Sequence, residues 1–117
     1  MHGMPKQSDL EHAFLTRWGQ LAPDSPAPVF GHHFAPPRRY HVDFSWPDRK
    51  VAVELQGGVW TRGRHTRGAG YEQDCAKLNL LQTLGWRVFY VTSSMLARDP
   101  AGIVAMVEAA IRNCPPQ

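Results

Sequence analysis

Alternation of apolar and polar residues between Tyr40 and Gln56 constrains the fold of this chain more than any other feature. The alternating apolar residues are Tyr40, Val42 and Phe44 in the first half, and Val51, Val53 and Leu55 in the second. Pro47-Asp48 lies between the two halves and supplies turn-forming residues. The segment therefore predicts a β-hairpin.

The hairpin predicts that Asp43 and Glu54 lie on one face. If both apolar rows bury in the same core, even-numbered residues of the first strand oppose odd-numbered residues of the second, because side chains alternate with a period of two. Opposed or diagonal positions place Cβ atoms roughly 5 to 8 Å apart, close enough for two carboxylates to share a divalent cation. The alternative is that these acids only solubilise an exposed face. The apolar neighbours of Glu54 favour an interior strand, where a carboxylate is costly unless it is paired or binds metal.

Composition indicates one globular domain over residues 1–117. The chain has 43% hydrophobic and 20% charged residues, enough apolar surface for a core without disulfides. Cys75 and Cys114 form no C-x-x-C pattern, which fits a reducing cytoplasm. The N-terminus lacks the apolar centre of a signal peptide, and no apolar run is long enough to span a bilayer, so no membrane association is expected.

The order of predicted elements is α-β-β-β-α-β-α. Ser8-Asp9-Leu10-Glu11 is a capping-box pattern that predicts a helix to about Leu21. The remaining predictions are a short strand over 29–34, the hairpin strands, a loop over 57–70, a helix over 71–84, a strand over 87–92 and a helix opened by Asp99-Pro100. This order predicts an α/β fold with a mixed sheet of about four strands flanked by helices.

Two helices carry charged residues on faces that point toward the core. Glu11 fits the capping box, yet it also falls within the apolar arc of its helix, so it is a candidate for the cap, for the site or for both. Asp74 and Lys77 share a face with Leu78, Leu81 and Leu84. The two charges could pair with each other, or Lys77 could act at the site.

Arginines are clustered although the formal net charge is only +3. Arg38 and Arg39 are adjacent, while Arg62, Arg64, Arg67 and His65 share one glycine-rich loop. Clusters of this kind suit phosphates such as those of a nucleic-acid backbone, although charge alone favours nucleic acid only slightly over no partner. That loop lacks the G-K-[ST] ending of a nucleotide-binding loop, and the spacing of His32, His33 and His41 does not match a zinc site.

The combined pattern resembles the PD-(D/E)XK nuclease superfamily. It consists of a helical Glu11, a strand Asp43 and Glu54-x-Gln56 after a hairpin, followed by GGVWTRGRHTRGAGYEQDCAKLNLLQTLGWRVFYVT. More narrowly, it resembles the small endonuclease-like proteins of phages and bacteria that are related to very-short-patch repair endonucleases. The resemblance runs from Ser8 to about Met95 and implies a restriction-endonuclease-like α-β-β-β-α-β core.

The resemblance also implies a Mg²⁺-dependent enzyme that cleaves DNA phosphodiesters, with Mn²⁺ as a substitute metal. Asp43 and Glu54 would be metal ligands, with the Leu55 carbonyl as a helper and Glu11 as an additional acid. Gln56 stands where many members carry lysine, so Lys77 or His65 would have to contact the attacking water or the developing charge. The expected setting is the cytoplasm of a bacterial or phage-infected cell, and a homodimer would allow two strands to be cut.

Two other functions fit the same residues. A DNA-binding module that keeps the nuclease fold without catalysis would bind DNA and have no measurable Mg²⁺ affinity. A histidine-metal nuclease would use His65 together with His32 or His33. Replacing His65 alone would then remove metal binding.

Overall fold

The computed structural model describes residues 8–57 and 69–113. Its helices are α1 (Asp9–Leu21), α2 (Ala69–Thr83), α3 (Ser93–Arg98) and α4 (Pro100–Arg112), and its strands are β1 (Val29–His33), β2 (His41–Trp46), β3 (Val51–Gln56) and β4 (Arg87–Thr92). A 3-10 turn, Pro47–Arg49, joins β2 to β3. None of the helices within these ranges is long and apolar enough to cross a membrane.

The four strands form one mixed sheet in the order β1-β2-β3-β4. Antiparallel pairing joins β1 to β2 and β2 to β3, whereas β3 and β4 are parallel. The parallel pair requires a crossover connection, which contains α2. The predicted α/β fold, with a mixed sheet flanked by helices, is confirmed.

Helices cover both faces of the sheet. On one face, Phe14 and Trp18 of α1 and the apolar residues of α4 pack against Phe44, Val53 and other strand residues. On the opposite face, Leu81 of α2 packs with Ala52 and Trp86. Because side chains alternate along β3, Glu54 lies on the same face as Ala52 and therefore faces α2.

Two details differ from the sequence prediction. Tyr40 precedes β2, and Val42 belongs to the cluster on the α2 face although Phe44 packs on the other face. Val42 pairs with His32 of β1, but the step between this pair and Phe30↔Phe44 is irregular, because Gly31 has a positive φ of 67°. The regular alternation of β2 is therefore interrupted between Phe44 and Val42. Helix α3 was also not predicted, because its six residues are too few for helical periodicity to be visible.

Strand directions bring several chain segments to one end of the sheet. In the observed pairing, the beginning of β2 lies beside the ends of β1 and β3, and β3 ends beside the end of β4. Position 57 is close to Leu10 at the beginning of α1, since a Cβ built there would lie 3.4 Å from Leu10 Cδ2. Asp43 and Glu54 are near this end, where a cleft opens between the sheet and α2. We call it the cleft end.

Candidate functional site

Asp43 and Glu54 lie opposite each other on β2 and β3. They occupy the step that follows the Phe44↔Val53 pair. The Asp43 N–H donates to Glu54 Oε1 at 3.0 Å, and the Leu55 N–H donates to Asp43 Oδ2 at 2.7 Å. Each carboxylate therefore takes the place of a backbone acceptor of the ladder and is held by the neighbouring strand. Asp43 and Glu54 therefore line one cleft, as predicted, although the alternation used for that prediction fails at the neighbouring Val42.

The surroundings of Asp43 disfavour a negative charge. Burial, and then the nearby charge of Glu54, raise the pKa of the Asp43 carboxyl to about 6. The Leu55 N–H and the Lys77 ammonium act in the opposite direction, whereas Glu11 adds to the increase in pKa. Near neutral pH two carboxylates thus face each other with little water around them, an arrangement that a cation would stabilise.

Lys77 extends from α2 to the carboxylate pair and forms an ion pair with Glu54 Oε2. The Lys77 and Glu54 side chains are only 19% and 11% exposed, so this pair is shielded from solvent. Exposed ion pairs contribute little to stability, but a shielded pair fixes both partners in position. Of the two orientations that the sequence allowed for Lys77, the structure therefore shows the one directed at the site.

The two carboxylates open into a cleft of about 270 Å³ between the sheet and α2. Its lining residues are Asp43, Glu54, Leu55, Gln56, Asp74, Lys77, Leu78 and Tyr90. Four of the predicted side chains, those of Asp43, Glu54, Gln56 and Lys77, are thus brought together, and Leu55 lies beside them. The grouping provides acceptors for a cation, one ammonium group and a neutral amide.

Glu11 is held at the beginning of α1 and does not line this cleft. Its Oε1 accepts the Ser8 N–H at 2.7 Å, and its own N–H donates to Ser8 Oγ at 3.1 Å, which completes the capping box. The charge of Glu11 nevertheless acts on the Asp43 pKa. The cap is therefore confirmed, and Glu11 influences the site through its charge.

The predicted DNA-binding residues fall into two groups. Arg38 and Arg39 are exposed on the connection between β1 and β2, which extends past the cleft end. Arg39 lies four residues before Asp43, a distance of about 13 Å along an extended strand. Arg62, Arg64, Arg67 and His65 lie outside the described residues.

The donor set fits a hard cation such as Mg²⁺. This ion is usually held by one or two carboxylates and keeps several waters. No described residue donates a hydrogen bond to Asp43 Oδ1, so this oxygen remains available as a ligand. Within residues 8–57 and 69–113, however, no three His, Cys, Asp or Glu side chains are grouped as metal ligands. Protein ligands would therefore be two carboxylates, with water or phosphate oxygens completing the shell.

Sequence reasoning did not single out Tyr90, and it named Asp74 only as a partner for Lys77. Tyr90 lies beside Glu54 in the parallel β3–β4 pair, and Asp74 is one turn before Lys77 on α2. The alternation in RVFYVT could have placed Tyr90 on a polar face. Its proximity to Glu54 depends on strand order and register, which a local pattern does not contain.

Comparisons with known proteins give two relatives. The chain is 28% identical over 89 residues to two uncharacterized proteins of Mycobacterium tuberculosis, one from strain CDC 1551 and one from strain H37Rv. The matched region covers 76% of this chain and 30% of the length of each relative. No family model and no solved structure matches the chain.

Proposed function

We propose that the protein is a Mg²⁺-dependent endonuclease that hydrolyses phosphodiester bonds in DNA. The observation that carries the proposal is the opposed pair Asp43 and Glu54, joined by Lys77, in one polar cleft. Paired carboxylates with a lysine suit phosphodiester hydrolysis, because they combine cation binding with a positive group for the phosphate.

Each residue would have a separate task. A bound Mg²⁺ would polarise the phosphate and lower the pKa of a water molecule. Asp43 and Glu54 would hold the cation, and their hydrogen bonds to the neighbouring strand would keep them in place. Lys77, oriented by Glu54, would stabilise the charge that develops on the phosphate oxygens.

Lys77 would take the place of the lysine that many members of the nuclease superfamily carry at the position of Gln56. Gln56 is neutral and lies at the wall of the cleft, where its amide would bind the attacking water. The positive charge would come instead from α2, on the opposite wall, through Lys77. His65 remains a second candidate for this task.

The DNA backbone would extend from the cleft toward the β1–β2 connection. Arg38 and Arg39 would contact phosphates there without reading the sequence. A homodimer would present two clefts and allow both strands of a duplex to be cut. A DNA substrate would place the protein in the cytoplasm of a bacterial or phage-infected cell.

The test is the substitution Asp43→Asn, with Asp48→Asn as a matched control in the exposed β2–β3 turn. Asn keeps the size and one acceptor oxygen but removes the negative charge that holds the cation. We expect Asp43→Asn to lower Mg²⁺-dependent nicking of supercoiled plasmid by at least about a hundredfold, since cation stabilisation of the transition state is worth several kcal/mol. Asp48→Asn should behave as wild type. Nicking by Asp43→Asn at the wild-type rate would exclude the proposed role of Asp43.

A DNA-binding module without catalysis is the second candidate. It is favoured by the fact that both oxygens of Glu54 already accept hydrogen bonds, from the Asp43 N–H and from Lys77. The site is therefore partly neutralised without a metal. Calorimetric titration with Mg²⁺ separates the candidates, because the enzyme must bind the ion and the module need not.

A further inference from the structure

Tyr90 places a large aromatic side chain at the edge of the cleft. It lies on the edge strand β4, directly beside Glu54 in the parallel register, and it lines the cleft. The next residue, Val91, is completely buried, whereas Tyr90 is 41% exposed. Tyr90 therefore lines the cleft beside Glu54 with a partly exposed side chain.

The hydroxyl of Tyr90 is available as a donor. No residue in the described part of the chain forms a hydrogen bond with it. A phenol keeps its proton at neutral pH, so the O–H is present to donate.

The charges that line the cleft explain why a neutral hydrogen-bond donor is useful at position 90. A phosphate that approaches Asp43 and Glu54 is repelled by their charges unless a cation lies between them. An arginine at position 90 would pair with Glu54 and compete with that cation. A phenol can donate to a phosphate oxygen without neutralising the carboxylates.

We propose that Tyr90 is a substrate-positioning residue, which donates a hydrogen bond from its hydroxyl to a phosphate oxygen of the nucleic-acid backbone in the cleft. This inference rests on the proposed nuclease function. It predicts that binding of the substrate depends on one atom, the hydroxyl oxygen of Tyr90. If the ring stacked on a base instead, removal of the hydroxyl would change nothing.

Three variants separate these roles. Tyr90→Phe removes only the hydroxyl, Tyr90→Leu also removes the ring, and Tyr71→Phe is the matched control. Tyr71 is on α2, is 60% exposed and does not line the cleft. Thermal unfolding of each variant first confirms that it is folded.

The measurements are Mg²⁺-dependent nicking of plasmid DNA, resolved into KM and kcat, and binding of a short duplex with Ca²⁺ in place of Mg²⁺. For Tyr90→Phe we expect KM and the Kd for the duplex to rise about tenfold, at the lower end for a hydrogen bond to a charged group, with kcat nearly unchanged. Tyr90→Leu should show a similar or larger loss of affinity, and Tyr71→Phe should match wild type.

Each other result overturns the proposal in a recognisable way. Wild-type affinity in Tyr90→Phe with weak binding in Tyr90→Leu would assign the contact to the ring. Wild-type behaviour in both variants, or a fall in kcat alone, would remove the positioning role while leaving the nuclease function intact. If wild-type protein does not nick DNA, the nuclease function fails and this role fails with it.

Discussion

At the scale of single residues, Asp43 shows how function competes with stability. Its carboxyl is partly buried, faces Glu54 and accepts a hydrogen bond from the Leu55 N–H. Only that bond and the charge of Lys77 favour the ionised form, and burial outweighs them. A site that holds two carboxylates ready for a cation therefore destabilises the fold when no cation is bound.

This conflict predicts an unusual pH dependence. Because folding raises the Asp43 pKa from 3.8 to about 6, the folded state binds the proton more tightly, and the free energy of unfolding should fall as the pH rises through this interval. Asp43→Asn does not titrate and keeps an acceptor for the Leu55 N–H. The free energy of unfolding of Asp43→Asn, relative to that of wild type, should therefore increase by on the order of 1 kcal/mol from pH 4 to pH 7, after allowance for solvent screening.

Urea unfolding in the presence of a chelator measures this gain at both pH values. Asp48→Asn is the control, because Asp48 is in the exposed turn and its side chain is 83% exposed. The free energy of unfolding of Asp48→Asn should change with pH by the same amount as that of wild type. The same change for Asp43→Asn as well would show that the carboxylate is not destabilising.

At the scale of elements, helix caps determine where the chain turns. The Ser8 and Glu11 box begins α1, the Thr92 side chain caps α3, and Asp99 caps α4. At α4, Asp99 Oδ1 accepts the Gly102 N–H at 3.0 Å. A Cβ at position 102 would lie 2.1 Å from Asp99 Oδ2, so the cap in this geometry requires glycine.

We therefore expect non-additive effects at α4. Asp99→Ala should cost about 1 kcal/mol, a typical value for loss of an N-cap. Gly102→Ala alone should be nearly neutral, because its helix-propensity gain of roughly 0.5–1 kcal/mol is offset by displacement of the cap. In the Asp99→Ala background the same change should stabilise.

A double-mutant cycle of thermal or urea unfolding tests this coupling. The cycle should show an interaction energy close to the energy of the cap. Equal effects of Gly102→Ala in both backgrounds would mean that a methyl group at position 102 does not disturb Asp99.

At the scale of the whole molecule, charge is distributed unevenly between the two ends of the sheet. The cleft end has the carboxylate pair and, beyond it, the exposed Arg38 and Arg39. Arg112 is also exposed but ends α4, close to Ala110, whose carbonyl accepts from Arg87 at the beginning of β4. Arg112 therefore lies toward the end of the sheet opposite the cleft.

Salt dependence of DNA binding should follow this distribution. If Arg38 and Arg39 each contact one phosphate, replacing both with Ala should reduce the slope of log K against log salt by roughly 1.8, about 0.9 per phosphate. Arg112→Ala should leave the slope unchanged. Fluorescence anisotropy over a salt series, with Ca²⁺ present, measures both values, and an equal effect of Arg112→Ala would point to non-specific attraction.

Most of the fold, and five of the eight residues that line the cleft, could be predicted from the sequence. Alternation holds along β3 and correctly predicted that Glu54 lies on the face opposite Val53 and Leu55, because a regular strand has a side-chain period of two. On β2 the same pattern placed Val42 on the wrong face. Capping residues located the beginnings of α1 and α4, because a cap is also a local feature. The short α3 was missed, because one and a half turns contain too little periodicity.

The sequence by itself determined the carboxylate pair, the order of the main elements and the apolar face of β3. Only the tertiary structure decided that Lys77 pairs with Glu54 and that Tyr90 lies beside Glu54. Those neighbours come from segments more than twenty residues away, and their positions depend on the crossover that makes β3 and β4 parallel. Local periodicity fixes the face of a side chain, whereas sheet order and helix packing fix which distant residue meets it.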